Sequence, residues 1–137
     1  MEHTFTYRSH IQEIPRIRED LVYLEQEGAV HKSEIKQIQL IIEELFSNII
    51  RFAFMDQKEH FIDIRLSTGE GQIEIELIDD GIPFNPLEYE MEQSADPVNS
   101  ESAGMGLPLI RAFCNHIEYH RISEKNHLII TKSLKRK

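Results

Sequence analysis

The sequence predicts an α+β fold, a two-layer α/β sandwich in which helices cover one face of a mixed, mostly antiparallel sheet. Three observations carry that prediction. Apolar residues alternate with period two in Phe61–Leu66 and again in Gln72–Ile78, and Thr68-Gly69-Glu70-Gly71 between them is a hairpin turn signal. The longest periodic segment, Glu34 to Phe54, repeats instead with helical spacing. Two more apolar alternations, Ile117–Ile122 and Leu128–Leu134, close the chain as a second hairpin, so strands gather in pairs beside the helices.

In chain order, Phe5 and Tyr7 alternate with Thr4, Thr6 and Arg8, which reads as a first strand over His3–Ser9. Pro15 opens a helix through Gln26, with Ile17, Leu21 and Leu24 on one face and Gly28 beyond its end. Ser33 is placed to cap the long second helix. From Asn85 to Ala103 the chain is polar and interrupted by Pro86, Pro97 and Asn99, a long loop of the kind that usually serves function. Leu107–Asn115 is a third helix, and a turn at Glu124–Asn126 joins the last two strands.

The 137 residues, read as residues 1–137, fit one domain able to bury a core without metal or disulfide staples. Cys114 is the only cysteine, which excludes an intramolecular disulfide and fits a reducing compartment. A formal net charge of -9 argues against direct binding to nucleic acid or an anionic membrane. No run approaches the roughly 18 apolar residues of a membrane helix, and Met1–Tyr7 lacks the features of a signal peptide, so a cytoplasmic location is expected. An acidic protein that takes an anionic ligand must neutralise it locally, with a divalent cation and backbone N–H groups.

Three motifs supply the chemistry. In Glu44-Leu-Phe-Ser-Asn48, a carboxylate and an amide lie one turn apart at the margin of the stripe formed by Ile38, Ile42, Leu45, Ile49 and Phe52. Glu43 points about 100° away, so Glu44 is the residue that pairs with Asn48. A carboxylate there can orient or deprotonate a nucleophile, and an amide oxygen can ligate Mg²⁺. In Asp79-Asp80-Gly81-Ile82-Pro83-Phe84, Asp79 ends an apolar strand, where it can accept an exocyclic amine proton. Gly81 permits a close backbone approach or a positive φ, and Pro83 stiffens the exit. In Gly104-Met105-Gly106-Leu107, the glycines leave backbone N–H groups open to phosphate at the start of a helix whose first turn holds Pro108. Each motif alone also fits a plain structural reading: a solvated helix edge, an Asp-Gly turn, a glycine-rich turn. Their order and shared architecture argue for one cavity covered by the 85–103 loop.

That order resembles the N, G1 and G2 boxes of the GHKL (Bergerat-fold) ATP-binding superfamily. The compact chain is similar in particular to its anti-sigma-factor serine/threonine protein kinase branch, from Phe5 to Lys132 and including the ending Tyr119–Thr131. The resemblance implies ATP and Mg²⁺ as cofactors. It implies Glu44 as catalytic base, Asn48 as Mg²⁺ ligand, Asp79 as the contact to adenine N6, and Gly81 and Pro83 as shapers of the base pocket. Gly104, Met105, Gly106 and Leu107 would line the phosphates, and Thr131 would support the adenine from the last strand. The implied partners are an anti-sigma-factor antagonist-type substrate protein, a sigma factor or other regulator, and a second copy of the chain. The sequence departs from the family pattern in three places. Phe52 and Phe54 stand where relatives often have His and an aromatic residue, and Pro83 replaces a glycine. Ser102 stands where some active kinases carry an arginine, and no Lys or Arg occurs between Arg65 and Arg111.

The expected function is an ATP-binding regulatory serine/threonine kinase. A nucleotide-sensing partner switch with weak transfer, and a detached histidine-kinase catalytic domain, are the alternatives. His116 and His120, four apart in a predicted strand, are not expected to bind zinc, and Cys114 is expected to be a core thiol.

Overall fold

The computed structural model describes residues 2–28, 30–54, 56, 58–88 and 106–134. Strand β1 (Glu2–Arg8) leads through a 3-10 turn (Ile11–Glu13) into α1 (Ile14–Gln26) and α2 (Lys32–Phe52). The hairpin β2 (Phe61–Gly69) and β3 (Gln72–Asp79) follows, then α3 (Gly106–Phe113) and the hairpin β4 (His116–Ile122) and β5 (Lys125–Ser133). The strands form one sheet in the order β1-β2-β3-β5-β4. Every described pairing is antiparallel, so no parallel pair contributes to the expected mixed sheet among the described residues.

Period-two alternation decides the layers. Ile62, Ile64 and Leu66 of β2, Ile73, Ile75 and Leu77 of β3, and Leu128 and Ile130 of β5 are buried, while the residues between them are more exposed. The helices therefore lie on one face. α2 supplies the facing half of the core through Ile38, Ile42, Leu45 and Ile49. Ile41 and Phe46 are also buried because α1 and α3 flank α2. Each such side chain gains about 1.5–3 kcal/mol on leaving water, so this stripe fixes α2, and what it carries, against the sheet.

Two local details differ from the sequence expectation. The cap of α2 is His31, whose Nδ1 accepts from Ser33 N–H at 3.1 Å; Ser33 itself is already inside the helix. The second hairpin turns earlier than expected, at Ser123 and Glu124, with φ of 51° and 63°. Two left-handed residues make the tight two-residue hairpin that matches strand twist, a conformation also taken by Glu70 and Gly71 in the first hairpin. Neither Ser nor Glu signals it by type, so the residue pattern points instead to Glu124–Asn126. The consequence is that Asn126 is a strand residue, in register with Asp79.

Candidate nucleotide site

Asp79 is the last residue of β3, on the helix-facing side of the sheet, and only 3% exposed. Its Oδ1 accepts two hydrogen bonds, from Gly81 N–H at 2.8 Å and from Asn126 Nδ2 at 2.9 Å. Oδ2 receives no hydrogen bond from the described residues. Burial holds the Asp79 carboxyl above its ordinary range, although the two donors and Arg121 favour its ionised form.

Gly81 is required by close approach rather than by backbone conformation. A Cβ there would stand 2.5 Å from the Ala53 carbonyl oxygen and 2.8 Å from Ala53 Cβ. Ile82 N–H donates to the same carbonyl at 3.0 Å. The turn after β3 is thus seated on the C-terminal end of α2, and the missing side chain is what lets it sit there. Phe84 continues the contact, its ring 5.3 Å from that of Phe52. Pro83 is exposed.

Asn48 lies five residues before Ala53, about 7.5 Å along the helix axis from that seat. It is 9% exposed, and Glu44 is half-buried one turn earlier. Among the described residues no hydrogen bond or ion pair engages either side chain. Glu43 is spent elsewhere: its Oε1 accepts from Arg18 Nη2 of α1 at 2.6 Å. The roughly 100° of helix rotation between Glu43 and Glu44 accounts for the different surroundings of the two neighbours. Gly106 and Leu107 open α3, which packs against α2 with Ile110 buried. Gly104, Met105, Ser102 and the expected lid over 89–103 lie outside the described residues.

Thr131 does not join this group. It stands opposite Glu74 on β3, five residues along β5 from Asn126 and about 17 Å away, on the other face of the sheet. Asn126, not Thr131, is the β5 residue that stands beside Asp79. It is 3% exposed, donates from Nδ2 to Asp79 Oδ1 and to the Ile82 carbonyl at 2.8 Å, and accepts at Oδ1 from Arg121 Nη1 at 3.1 Å and Phe84 N–H at 3.3 Å. Tyr119 Oη donates to the same oxygen, and Arg121 also binds the Gly81 carbonyl at 2.8 Å. Asn126 falls in the same alternation phase as Leu128 and Ile130, and a polar residue in that phase was the available sequence signal.

Beyond the Gly81–Ala53 contact is a cavity of about 350 Å³ lined by Phe54, Asp56, His60, Asp80 and Ile82 as well as those two residues. His60 stacks on Phe54 at 4.3 Å, with Nε2 2.8 Å from Asp56 Oδ1 and Nδ1 3.0 Å from Asp80 Oδ1. Hydrogen bonding to Asp56, and then to Asp80, raises the His60 pKa. His116 and His120 lie on β4 on either side of Glu118, at 3.1 and 3.4 Å from its carboxylate. Cys114 is half-buried against the core, and burial pushes its thiol up.

Among the described residues no group of three or more His, Cys, Asp or Glu side chains could hold a metal ion. Mg²⁺ keeps several waters and takes few protein ligands, so such a group is not a requirement for it. No helix among the described residues is long and apolar enough to cross a membrane.

The profile of the histidine kinase-like ATPase domain matches residues 8–132. No curated protein sequence matches the chain. Among solved structures, the Acinetobacter baumannii histidine kinase AdeS superposes over 98% of this chain and 68% of its own, with a TM-score of 0.52 and 14% identity. At that identity the likeness shows the fold.

Proposed function

The chain belongs to the histidine kinase-like ATPase family, a domain type that binds ATP, usually with Mg²⁺, and from that premise we propose that it is a regulatory protein kinase. Its substrate would be a serine or threonine of a small antagonist protein, and its second partner a sigma factor or other regulator held inactive until the antagonist is phosphorylated. The observation that carries the nucleotide part is Asp79: a buried carboxylate whose Oδ1 is occupied by Gly81 and Asn126, leaving Oδ2 to accept from adenine N6. Asn48 would complete Mg²⁺, and the start of α3 would meet the phosphates. Glu44, beside Asn48, would accept the substrate hydroxyl proton. Transfer would then rest on positioning and on charge stabilisation around the phosphates.

Incubation with Mg²⁺, labelled ATP and an antagonist protein is expected to label the antagonist on Ser or Thr. Glu44→Gln should abolish labelling while ATP binding persists. If Glu44→Gln transfers phosphate at the wild-type rate, Glu44 is not the base.

A second reading is favoured by one feature, the absence of any Lys or Arg between Arg65 and Arg111. Without a cation near the γ-phosphate, the domain would sense ATP or ADP and switch partners with little transfer. Nucleotide-dependent partner binding with no labelled antagonist is the result that selects it.

A further inference from the structure

Asn126 is the most connected polar side chain described around the site, and its partners fix its orientation. Arg121 Nη1 and Phe84 N–H can only donate, so the amide oxygen must face them. The Ile82 carbonyl can only accept, so the NH₂ group must face it and, beside it, Asp79 Oδ1. The chain of donors therefore runs one way, from Arg121 and the backbone, through Asn126, into Asp79. Gly81 N–H adds a second donor to the same oxygen. Two donors on Oδ1 leave no place there for a proton, and any hydrogen bond to a ligand must be made by Oδ2.

We propose that Asn126 is a positioning residue for base recognition: by donating to Asp79 Oδ1 it holds Asp79 as an acceptor toward the ligand, and so sets a preference for a 6-aminopurine over a 6-oxopurine. The proposal rests on the adenine-nucleotide reading of the site. The chemistry is direct. Adenine offers an N6–H donor that an ionised carboxylate accepts. Hypoxanthine and guanine offer an O6 acceptor, which the same carboxylate repels unless it carries a proton.

The surrounding charges do not replace Asn126. Asp80, on the same strand exit, opposes ionisation of Asp79, and Arg121 on β4 favours it from a position that Asn126 bridges. Tyr119 gives its hydrogen to Asn126. Glu59, His60, Asp63 and Lys125 line a cavity beside Asp79 without a hydrogen bond to it among those described. These groups are common to every variant below and shift their pH curves together.

The probes are ATP and inosine triphosphate, each with Mg²⁺, titrated against the full chain between pH 5 and 8. Wild type is expected to prefer ATP. Asn126→Asp keeps the shape and removes the obligatory donor; the ATP preference should fall about tenfold, as for loss of a hydrogen bond to a charged group. The acid limb of ATP binding should also move to higher pH, a change that a merely structural role would not produce. Asn126→Thr, which retains a donor, should recover part of both. Asp79→Asn is an independent arm: its amide oxygen must take the bonds from Asn126 and Gly81, so its NH₂ points at the ligand and inosine triphosphate should become the preferred nucleotide. A folded Asn126→Asp with the wild-type preference and pH profile overturns the proposal. So does an Asp79→Asn that still prefers ATP, the deciding arm if Asn126→Asp does not fold. A wild type that binds neither nucleotide fails differently, because it removes the adenine reading on which the proposal stands.

Discussion

Asp79 and Asp80 are consecutive and chemically identical, yet they are held in opposite ways. Strand alternation turns Asp79 toward the helices, where it is buried and receives two hydrogen bonds on one oxygen. Asp80 has a side chain 56% exposed and pairs with His60. The first is surrounded by donors that keep a desolvated acceptor in place; the second is an ordinary surface partner of a histidine. A carboxylate becomes a recognition element when its environment dictates which oxygen is open, and its residue type alone does not decide that.

The largest effect should come from breaking that contrast. Asp79→Asn is expected to weaken ATP binding about 100-fold, close to 3 kcal/mol, because a donor then faces the N6 donor and a charge-assisted bond is lost. Asp80→Asn should leave ATP affinity within about twofold, since exposed ion pairs contribute little. Isothermal titration of both variants measures the difference, and equal losses would mean that burial has not separated the two roles.

Gly81 comes next. Alanine there would drive a Cβ to 2.5 Å from a backbone oxygen at the end of α2, and backbone cannot swing aside as a long side chain can. Overpacking of that kind costs typically about 1–3 kcal/mol. Gly81→Ala should therefore lower the denaturation midpoint and weaken ATP binding together, because the turn that carries Asp79 lifts from its seat. Loss of stability with unaltered nucleotide affinity would show that the seat does not position the site.

The same contrast marks what the sequence made legible. The placements of Asp79, Glu44 and Asn48 are readable because strand and helix periodicities state which way a side chain points, and Gly81 because a glycine in a turn allows close backbone approach. Asp79 ends a period-two run, and Glu44 is distinguished from Glu43 by 100° of helix rotation, which the Arg18–Glu43 pair supports. The layers of the sandwich followed from the same alternation. Asn126 is not legible as a partner of Asp79, because its reading as a turn residue depends on where the hairpin turns. The left-handed Ser123 and Glu124 carry no residue signature, so Asn126 reads from the sequence as a turn residue although it lies in the strand. Asn126 also acts through tertiary partners on β4 and in the turn after β3, pairings that local sequence does not encode. The His60 cluster is not legible for a related reason: its partners, Asp56 and Asp80, come from two separate loops.

The smallest expected effect tests the other half of the contrast. The folded-state pKa of His60 is raised above its ordinary 6.5, first by Asp56 and then by Asp80. A cation stabilised in the folded state contributes fully below about 6.5, and that contribution is lost as pH rises through the raised folded value. The Asp56 pKa is lowered, so its own share is lost only on acidification, outside this window. Wild type should thus melt higher than His60→Gln at pH 6, by about 2–4 °C, and the gap should narrow toward pH 8.5. A gap that widens with pH would reverse the sign and show that His60 is neutral in the fold. Nucleotide affinity supplies the sharper readout: it should not follow the His60 curve, because no hydrogen bond among the described residues links His60 or Asp80 to Asp79. If ATP binding weakens with the same midpoint as the melting difference, the two aspartates are coupled through the strand end, and His60 belongs to the nucleotide site after all.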